Sequence, residues 1–294
     1  MTGSTNFMGD ATAVESPSGK GAADENFPVG SFLLPKALRP HVAAFYAFAR
    51  AIDDIADNPM LPDSEKATRL WAFDAALKGE PGYGAAFAKA HALRESMRAT
   101  NVPTTHGSDL IAAFVQDCEK KRYQSWEELL GYCEKSANPV GRYLLDLHGE
   151  DRAGYRFSDA LCTVLQIVNH LQDMKEDKTN LDRIYVIEPW LAGAGGSLAD
   201  IDAAVESPPL RNTIDRMLDG CDSLMIDARR LPFALKSRSL AMESSVIVKL
   251  AERLIARLRG GDPIAGRVAL SKFDFARAGI AGALSGYFAA GKGA

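Results

Sequence analysis

Two short segments hold side chains whose types and spacing could do chemistry together. The first is Arg50-Ala51-Ile52-Asp53-Asp54-Ile55-Ala56-Asp57. At about 100° per helical residue, Arg50, Asp53, Asp54 and Asp57 fall within about a third of the circumference. Their neighbours Ala47, Phe48, Ile52 and Ile55 are apolar, so the helix is not polar all round. Asn58-Pro59 ends it, which leaves three carboxylates at a helix C-terminus, where they oppose the macrodipole. The bland alternative is a solvated helix end. The second segment runs from Gln166 to Asp177, with Gln166, Asn169, Asp173 and Asp177 at intervals of 3, 4 and 4 residues. That spacing aligns them along about three turns of one helix. Leu161, Val164 and Leu165 precede them, so the stripe faces something other than bulk water. A buried row of amides and carboxylates is costly unless paired or metal-bound.

Together the segments supply five aligned carboxylates on two helices, with two amides and Arg50 beside them. Hard oxygen donors of this kind suit Mg²⁺, particularly when a substrate phosphate completes its coordination. A diphosphate bridged by such ions is a good leaving group. The stripe has no Glu-x-x-His pair, which argues against a di-iron or zinc bundle. His170, one residue off the stripe, reads as a packed histidine. Phe27, Phe32, Phe45, Tyr46, Phe48, Tyr132 and Tyr143 lie near these segments in sequence. Most of them read as core. Any that face a cavity could stabilise a carbocation without acting as a base.

The elements that must position these groups are helical. Ala, Leu and Arg are frequent, and alternating β-branched runs are scarce. The patterns predict helices near 40–56, 64–78, 84–99, 107–121, 125–135, 138–148, 158–178, 209–230, 235–259 and 270–290. Pro40 suits a first turn. Asn58-Pro59, Pro81-Gly82, Pro103 and Gly261-Asp262-Pro263 punctuate the chain. The stretch 179–198 reads as an irregular loop. The expected architecture is all-α: one helical bundle around a central cavity, residues 24–294, preceded by a Gly-, Ser-, Thr- and Ala-rich tail, residues 1–23, read as mobile.

Composition narrows the function classes. Of 294 residues, 47% are apolar and 24% charged, a globular balance. The formal charge of −4 disfavours nucleic-acid partners, which need basic patches. The four cysteines form no CxxC pair, so zinc ribbons and redox motifs are not expected, and a reduced cytoplasmic setting fits. No apolar window is long enough to span a bilayer, and the N-terminus lacks a signal-peptide core. Ile280–Phe288, apolar and followed by Lys292, reads as packing in the bundle; the other reading is transient contact with a membrane surface, at which the protein would sit peripherally.

Several stretches together resemble the squalene/phytoene synthase family, and within it the hopanoid-pathway branch of hydroxysqualene synthases. They are Glu25-Asn26-Phe27-Pro28-Val29-Gly30-Ser31 with Leu33-Leu34-Pro35, and Tyr46-Ala47-Phe48-Ala49-Arg50 with Asp53-Asp54-Ile55-Ala56-Asp57. Tyr132-Cys133 with Ser136-Ala137-Asn138-Pro139-Val140-Gly141 is a third, and the Gln166–Asp177 stripe with Arg183-Ile184-Tyr185 a fourth. Gly261-Asp262-Pro263-Ile264-Ala265 adds to them. The resemblance implies an isoprenoid-synthase helical fold and Mg²⁺-dependent ionisation of a prenyl diphosphate. On that analogy Asp53, Asp57, Asn169, Asp173 and Asp177 hold two or three Mg²⁺ ions and the diphosphate, with Asp54 beside them. Arg50 contacts the diphosphate, and Arg183 and Tyr185 close over it. Gln166 and Tyr46 line the reacting end. Phe27 and Tyr132 contact substrate, and Gly141 lets the neighbouring helix break and the prenyl chain pass.

Departures from the family's pattern point to the branch. Coupling enzymes typically have a basic residue where this chain has Gln172, and Ser-Lys-Ser-like residues where it has Glu25-Asn26. Less positive charge suits a step that starts from one diphosphate, presqualene diphosphate, with rearrangement and water capture giving hydroxysqualene. Asp182 stands where a glycine is common. No GxGxxG follows a predicted strand, and NADPH is not expected. The alternatives are head-to-head coupling of two farnesyl diphosphates, as in presqualene diphosphate, squalene or phytoene-type synthases; a non-catalytic member acting in binding or assembly; and a lipid carrier. The expected partner is the prenyl diphosphate, with transient contact to a membrane surface or neighbouring pathway enzymes as a further reading.

Overall fold

The computed structural model describes residues 33–289. The tail 1–23, the stretch Glu25–Phe32 with Phe27, and Lys292 lie outside the described residues. The helices are α1 (Arg39–Ala56), α2 (Asp63–Lys78), α3 (Ala88–Thr100), α4 (Thr105–Glu119), α5 (Trp126–Ser136), α6 (Asn138–Leu147), α7 (Tyr155–Leu181), α8 (Glu188–Gly193), α9 (Pro208–Ala228), α10 (Leu231–Ala234), α11 (Arg238–Gly260) and α12 (Lys272–Ala289). Among the described residues there is no strand, only an isolated bridge between Tyr123 and Ile187.

Local chemistry accounts for most helix ends. Pro40 sits in the first turn of α1, where its missing N–H costs nothing. Ser125, Ser207 and Ser237 cap α5, α9 and α11, each hydroxyl accepting from a backbone N–H three residues on. Gly79 ends α2 in the left-handed region, at φ +83°. The expected loop at 179–198 is partly helical. α7 continues to Leu181, and α8 starts with Pro189 in its first turn. Between them Asp182 takes φ +52°, a conformation that normally favours glycine. Arg122 holds it there by donating to the Asp182 carboxylate at 2.6 Å and to its carbonyl oxygen. The next residues are drawn inward: Ile184 N–H donates to the Lys121 carbonyl, Glu188 N–H to the Tyr123 carbonyl, and Ile184 through Ile187 are buried.

α7 is the axis of the bundle. It packs against α6, α9 and α11, while α1 packs on α2, α3 and α4. α6 comes close because residue 141 is glycine. A Cβ there would stand 2.2 Å from Ser158 Oγ and 2.7 Å from Cys162 Sγ. A fully buried row that includes Phe48, Ile52, Ile55, Phe73, Leu77 and Ile111 welds α1, α2 and α4 together. This core fixes the C-terminal end of α1 and so the direction of its aspartates.

Candidate functional site

α1, α6, α7 and α11 enclose a mostly apolar cavity of about 320 Å³. Its walls include Phe45, Tyr46, Phe114, Val140, Gly141, Tyr143, Leu161 and Leu165. Phe45 and Tyr143 stack at 4.0 Å, and the Tyr143 hydroxyl donates to the His41 carbonyl, so their faces are fixed. Phe48 is core, packed on Phe73. The cavity also meets Arg50 and Asp53 from α1, and Gln166 and Asn169 from α7. The two segments singled out in the sequence therefore meet at one cavity.

Each aspartate of the two segments lies beside a cation or histidine. Arg50 donates to Asp53 at 2.7 Å and to the buried Asp54 at 3.1 Å. Arg267, in the connection between α11 and α12, grips Asp173 with Nε at 2.6 Å and Nη2 at 3.3 Å. His170 Nδ1 lies 3.8 Å from Asp177. Asp57 is the C-cap of α1 and accepts from Arg183 Nη1 at 2.7 Å.

Asp54, Asp57, Asp173 and Asp177 are not among the residues that line the cavity, and neither are Tyr132, Arg183 and Tyr185. Arg183 was expected to close over a diphosphate. Its side chain is 5% exposed and spans back to the end of α1, with Nη2 donating to the Ala56 carbonyl at 3.0 Å. Tyr132 and Tyr185 do not line the cavity. Both hydroxyls donate to Asp117 on α4, at 2.8 and 3.1 Å, and the Tyr185 ring stacks on His170 at 3.4 Å. The physical reason is Asp117. A fully buried carboxylate demands donors and a counter-charge, and it recruits the nearest phenols and the Arg183 guanidinium.

Asp117 is the residue that the sequence reading missed. Burial pushes its pKa up from 3.8 to about 6, although Arg183, Tyr132 and His170 oppose the rise. Burial works against the Arg183 charge too, but Asp117 and Asp57 outweigh it and hold the guanidinium above its usual range. Burial, then the Asp117 charge, raises the pKa values of Tyr132 and Tyr185 well above the ordinary phenol value. The result is a polar strut under the site. It runs Asp57–Arg183–Asp117–Tyr185–His170, and His170 Nε2 meets Gln166 Nε2 at 3.0 Å. It ties the C-terminus of α1 to the middle of α7. A single aspartate within Phe114-Val115-Gln116-Asp117-Cys118-Glu119-Lys120 carries no local signal of this role.

Gln172 is 3% exposed, and its amide donates to the Val268 carbonyl at 2.5 Å. It joins α7 to the connection that carries Arg267. Where the sequence suggested a loss of positive charge, Arg267 brings a guanidinium to Asp173. α11 contributes a further polar part of the cavity wall, Glu243 and Ser244, which the sequence did not single out.

Among the described residues, no three His, Cys, Asp or Glu side chains converge closely enough to hold a bare ion. The donor set nevertheless fits Mg²⁺ bound through a substrate phosphate, which needs only one or two carboxylates per ion. Asp53 and Asp57 at the end of α1, and Asn169, Asp173 and Asp177 on α7, offer the oxygen donors.

Residues 21–274 match the family described as squalene/phytoene synthase. A hydroxysqualene synthase of Rhodopseudomonas palustris is 39% identical over 274 residues, 93% of this chain and 92% of that one. A hydroxysqualene synthase of Zymomonas mobilis is 38% identical, covering 87% of this chain and 86% of its own. Among solved structures, the squalene synthase HpnC of Alicyclobacillus acidocaldarius aligns with a TM-score of 0.69 at 34% identity, over 79% of this chain and 87% of that one.

Proposed function

The chain belongs to the squalene/phytoene synthase family, and we propose that it ionises presqualene diphosphate, rearranges the cation and captures it with water as hydroxysqualene, in squalene and hopanoid biosynthesis. One observation carries this reading. An apolar cavity meets Arg50 and Asp53 from α1 and the Gln166 and Asn169 amides from α7, in a chain that hydroxysqualene synthases match over most of its length.

In this reading, Asp53, Asp57, Asn169, Asp173 and Asp177 would hold two or three Mg²⁺ ions together with the substrate diphosphate. Bound there, Mg²⁺ would take up the negative charge that develops on the departing diphosphate. Arg50, already at the cavity, donates to the same group. Arg183 and Arg267 keep Asp57 and Asp173 in place before substrate arrives. Their rigidity matters because electrostatic stabilisation works best when its groups need no reorganisation.

The carbon skeleton lies along Phe45, Tyr46, Gly141, Leu161 and Leu165, where aromatic faces stabilise positive charge and bulk water is excluded. The C–O bond to diphosphate breaks with its electron pair leaving on oxygen. A water held by the Gln166 and Asn169 amides then forms the new C–O bond. Its surplus proton passes to the released diphosphate.

The test is one pair of incubations with purified protein and Mg²⁺, without NADPH. Presqualene diphosphate is expected to give hydroxysqualene, and farnesyl diphosphate alone nothing. Consumption of farnesyl diphosphate alone would move the protein to the coupling branch. Failure with both substrates would contradict the assigned activity.

A further inference from the structure

The C-terminal helix α12 inverts the usual helical pattern. Its inward stripe is Asp274, Ala278, Gly282, Gly286 and Ala289, all buried. The glycines let two backbones touch. A Cβ on Gly282 would lie 2.5 Å from Val246 Cα, and one on Gly286 would lie 2.5 Å from both Ala241 O and Met242 Cα. The large side chains point outward instead. Phe273 is 73% exposed, Ile280 69%, Leu284 60% and Phe288 65%. Eleven large apolar residues are exposed among the described residues, and six are on this one helix. Scattered exposed apolar residues mean little, but a contiguous face of them does.

The exposed charges on this helix are one-sided, and Glu252 at its flank is paired with Arg229 and Lys249. The only acid on α12, Asp274, is buried and held by Arg253 and Arg257 at 2.8 and 2.5 Å. The exposed charges on the helix are Lys272 and Arg277. Arg238 stands beside it, 4.6 Å from the centre of the Tyr287 ring. A twofold contact between two copies would bring these cations together. An anionic surface complements them. No helix among the described residues is long and apolar enough to cross a membrane; a row of outward apolar side chains flanked by cations suits a helix lying on an interface.

We propose that the outer face of α12, Phe273, Ile280, Leu284 and Phe288 with Lys272, Arg277 and Arg238 around them, docks on the surface of an anionic lipid bilayer. The opposite side of α11 lines the cavity through Leu240, Ile247 and Leu254, so α11 alone separates the cavity from the docking helix α12. This placement rests on the geometry of α12 and does not depend on which prenyl diphosphate the cavity takes.

Vesicle co-sedimentation of the full chain tests it, with phosphatidylglycerol/phosphatidylcholine vesicles compared with phosphatidylcholine alone. The expected result is binding to the anionic vesicles, weaker by roughly tenfold on the neutral ones and weakened by salt. The combined variant Phe273→Gln, Ile280→Gln, Leu284→Gln and Phe288→Gln should lose roughly a hundredfold in partitioning. Its circular dichroism and its turnover of detergent-dispersed substrate should be unchanged. Leu284→Trp supplies a second readout, independent of that variant's folding: its fluorescence should be quenched by brominated lipid. Three results would overturn the proposal. They are no sedimentation of the wild type, no quenching of Leu284→Trp, or a wild-type dimer that the combined variant converts to monomer. The last would assign the face to a second copy of the chain.

Discussion

Replacing Arg183 with glutamine should destabilise the protein in a pH-dependent way. The guanidinium serves two carboxylates and a carbonyl: Asp57 at 2.7 Å, the Ala56 carbonyl at 3.0 Å, and the buried Asp117 through its field. Asp57 is 34% exposed, so its share is small, about 1 kcal/mol. Asp117 is the larger part. Stripping a buried carboxylate of its counter-charge costs about 3–5 kcal/mol, unless the carboxyl takes up a proton first. In the wild type Asp117 titrates at about 6. Protonating it near pH 8, about two units higher, costs about 3 kcal/mol, which caps its share. The total loss should therefore be about 4 kcal/mol near pH 8 and about 1–2 kcal/mol near pH 6, where the wild type is itself half protonated at Asp117. Urea midpoints measured across this range give the number. Asp117→Asn should shrink the Arg183→Gln cost at pH 8 by about 3 kcal/mol in a double-mutant cycle. A loss independent of pH, or additive single variants, would refute the coupling between Arg183 and Asp117.

Other expectations follow from the same contacts. Asp117→Asn alone should change how stability varies with pH. An acid whose folded pKa is raised, here from 3.8 to about 6, binds a proton on folding, so the wild type loses stability relative to the variant as pH rises through that window. Thermal melts from about pH 4 to 7 would show the difference closing or reversing. Asp53→Asn and Asp173→Asn should each lower kcat by roughly 10²–10³-fold with little change in melting temperature, as read by steady-state kinetics and calorimetry. Gly141→Val should cost about 1–3 kcal/mol and raise KM, because its side chain would collide with Ser158 and Cys162 and narrow the cavity.

Helical periodicity and turn residues placed most helices within a few residues of their observed ends. α1, expected at 40–56, spans Arg39–Ala56, and α6, expected at 138–148, spans Asn138–Leu147. The exceptions are short or end without a local stop signal. α8 hides behind Pro189, and α7 overruns because its cap, Asp182, is held by Arg122 from sixty positions earlier in the chain. The stripe Gln166, Asn169, Asp173 and Asp177 was legible because equal-face spacing is a local property. The strut beneath it was not. Asp117, Arg183 and Tyr185 meet only through tertiary packing, and nothing in the sequence around Asp117 distinguishes a buried acid from a surface one. The pairing of Arg267 with Asp173 is of the same kind, with 94 positions between the partners. α12 shows the converse. Its composition suggested burial, yet the glycines that let it dock leave the large residues outside.

The most direct test of the account is the fate of oxygen. Purified protein, Mg²⁺ and presqualene diphosphate are incubated in heavy-oxygen water without NADPH, and the extracted lipid is analysed by mass. Hydroxysqualene carrying the heavy oxygen is the expected product, since the new hydroxyl comes from a cavity water after the C–O bond to diphosphate has broken. An alcohol with ordinary oxygen, or a hydrocarbon product in its place, would contradict it.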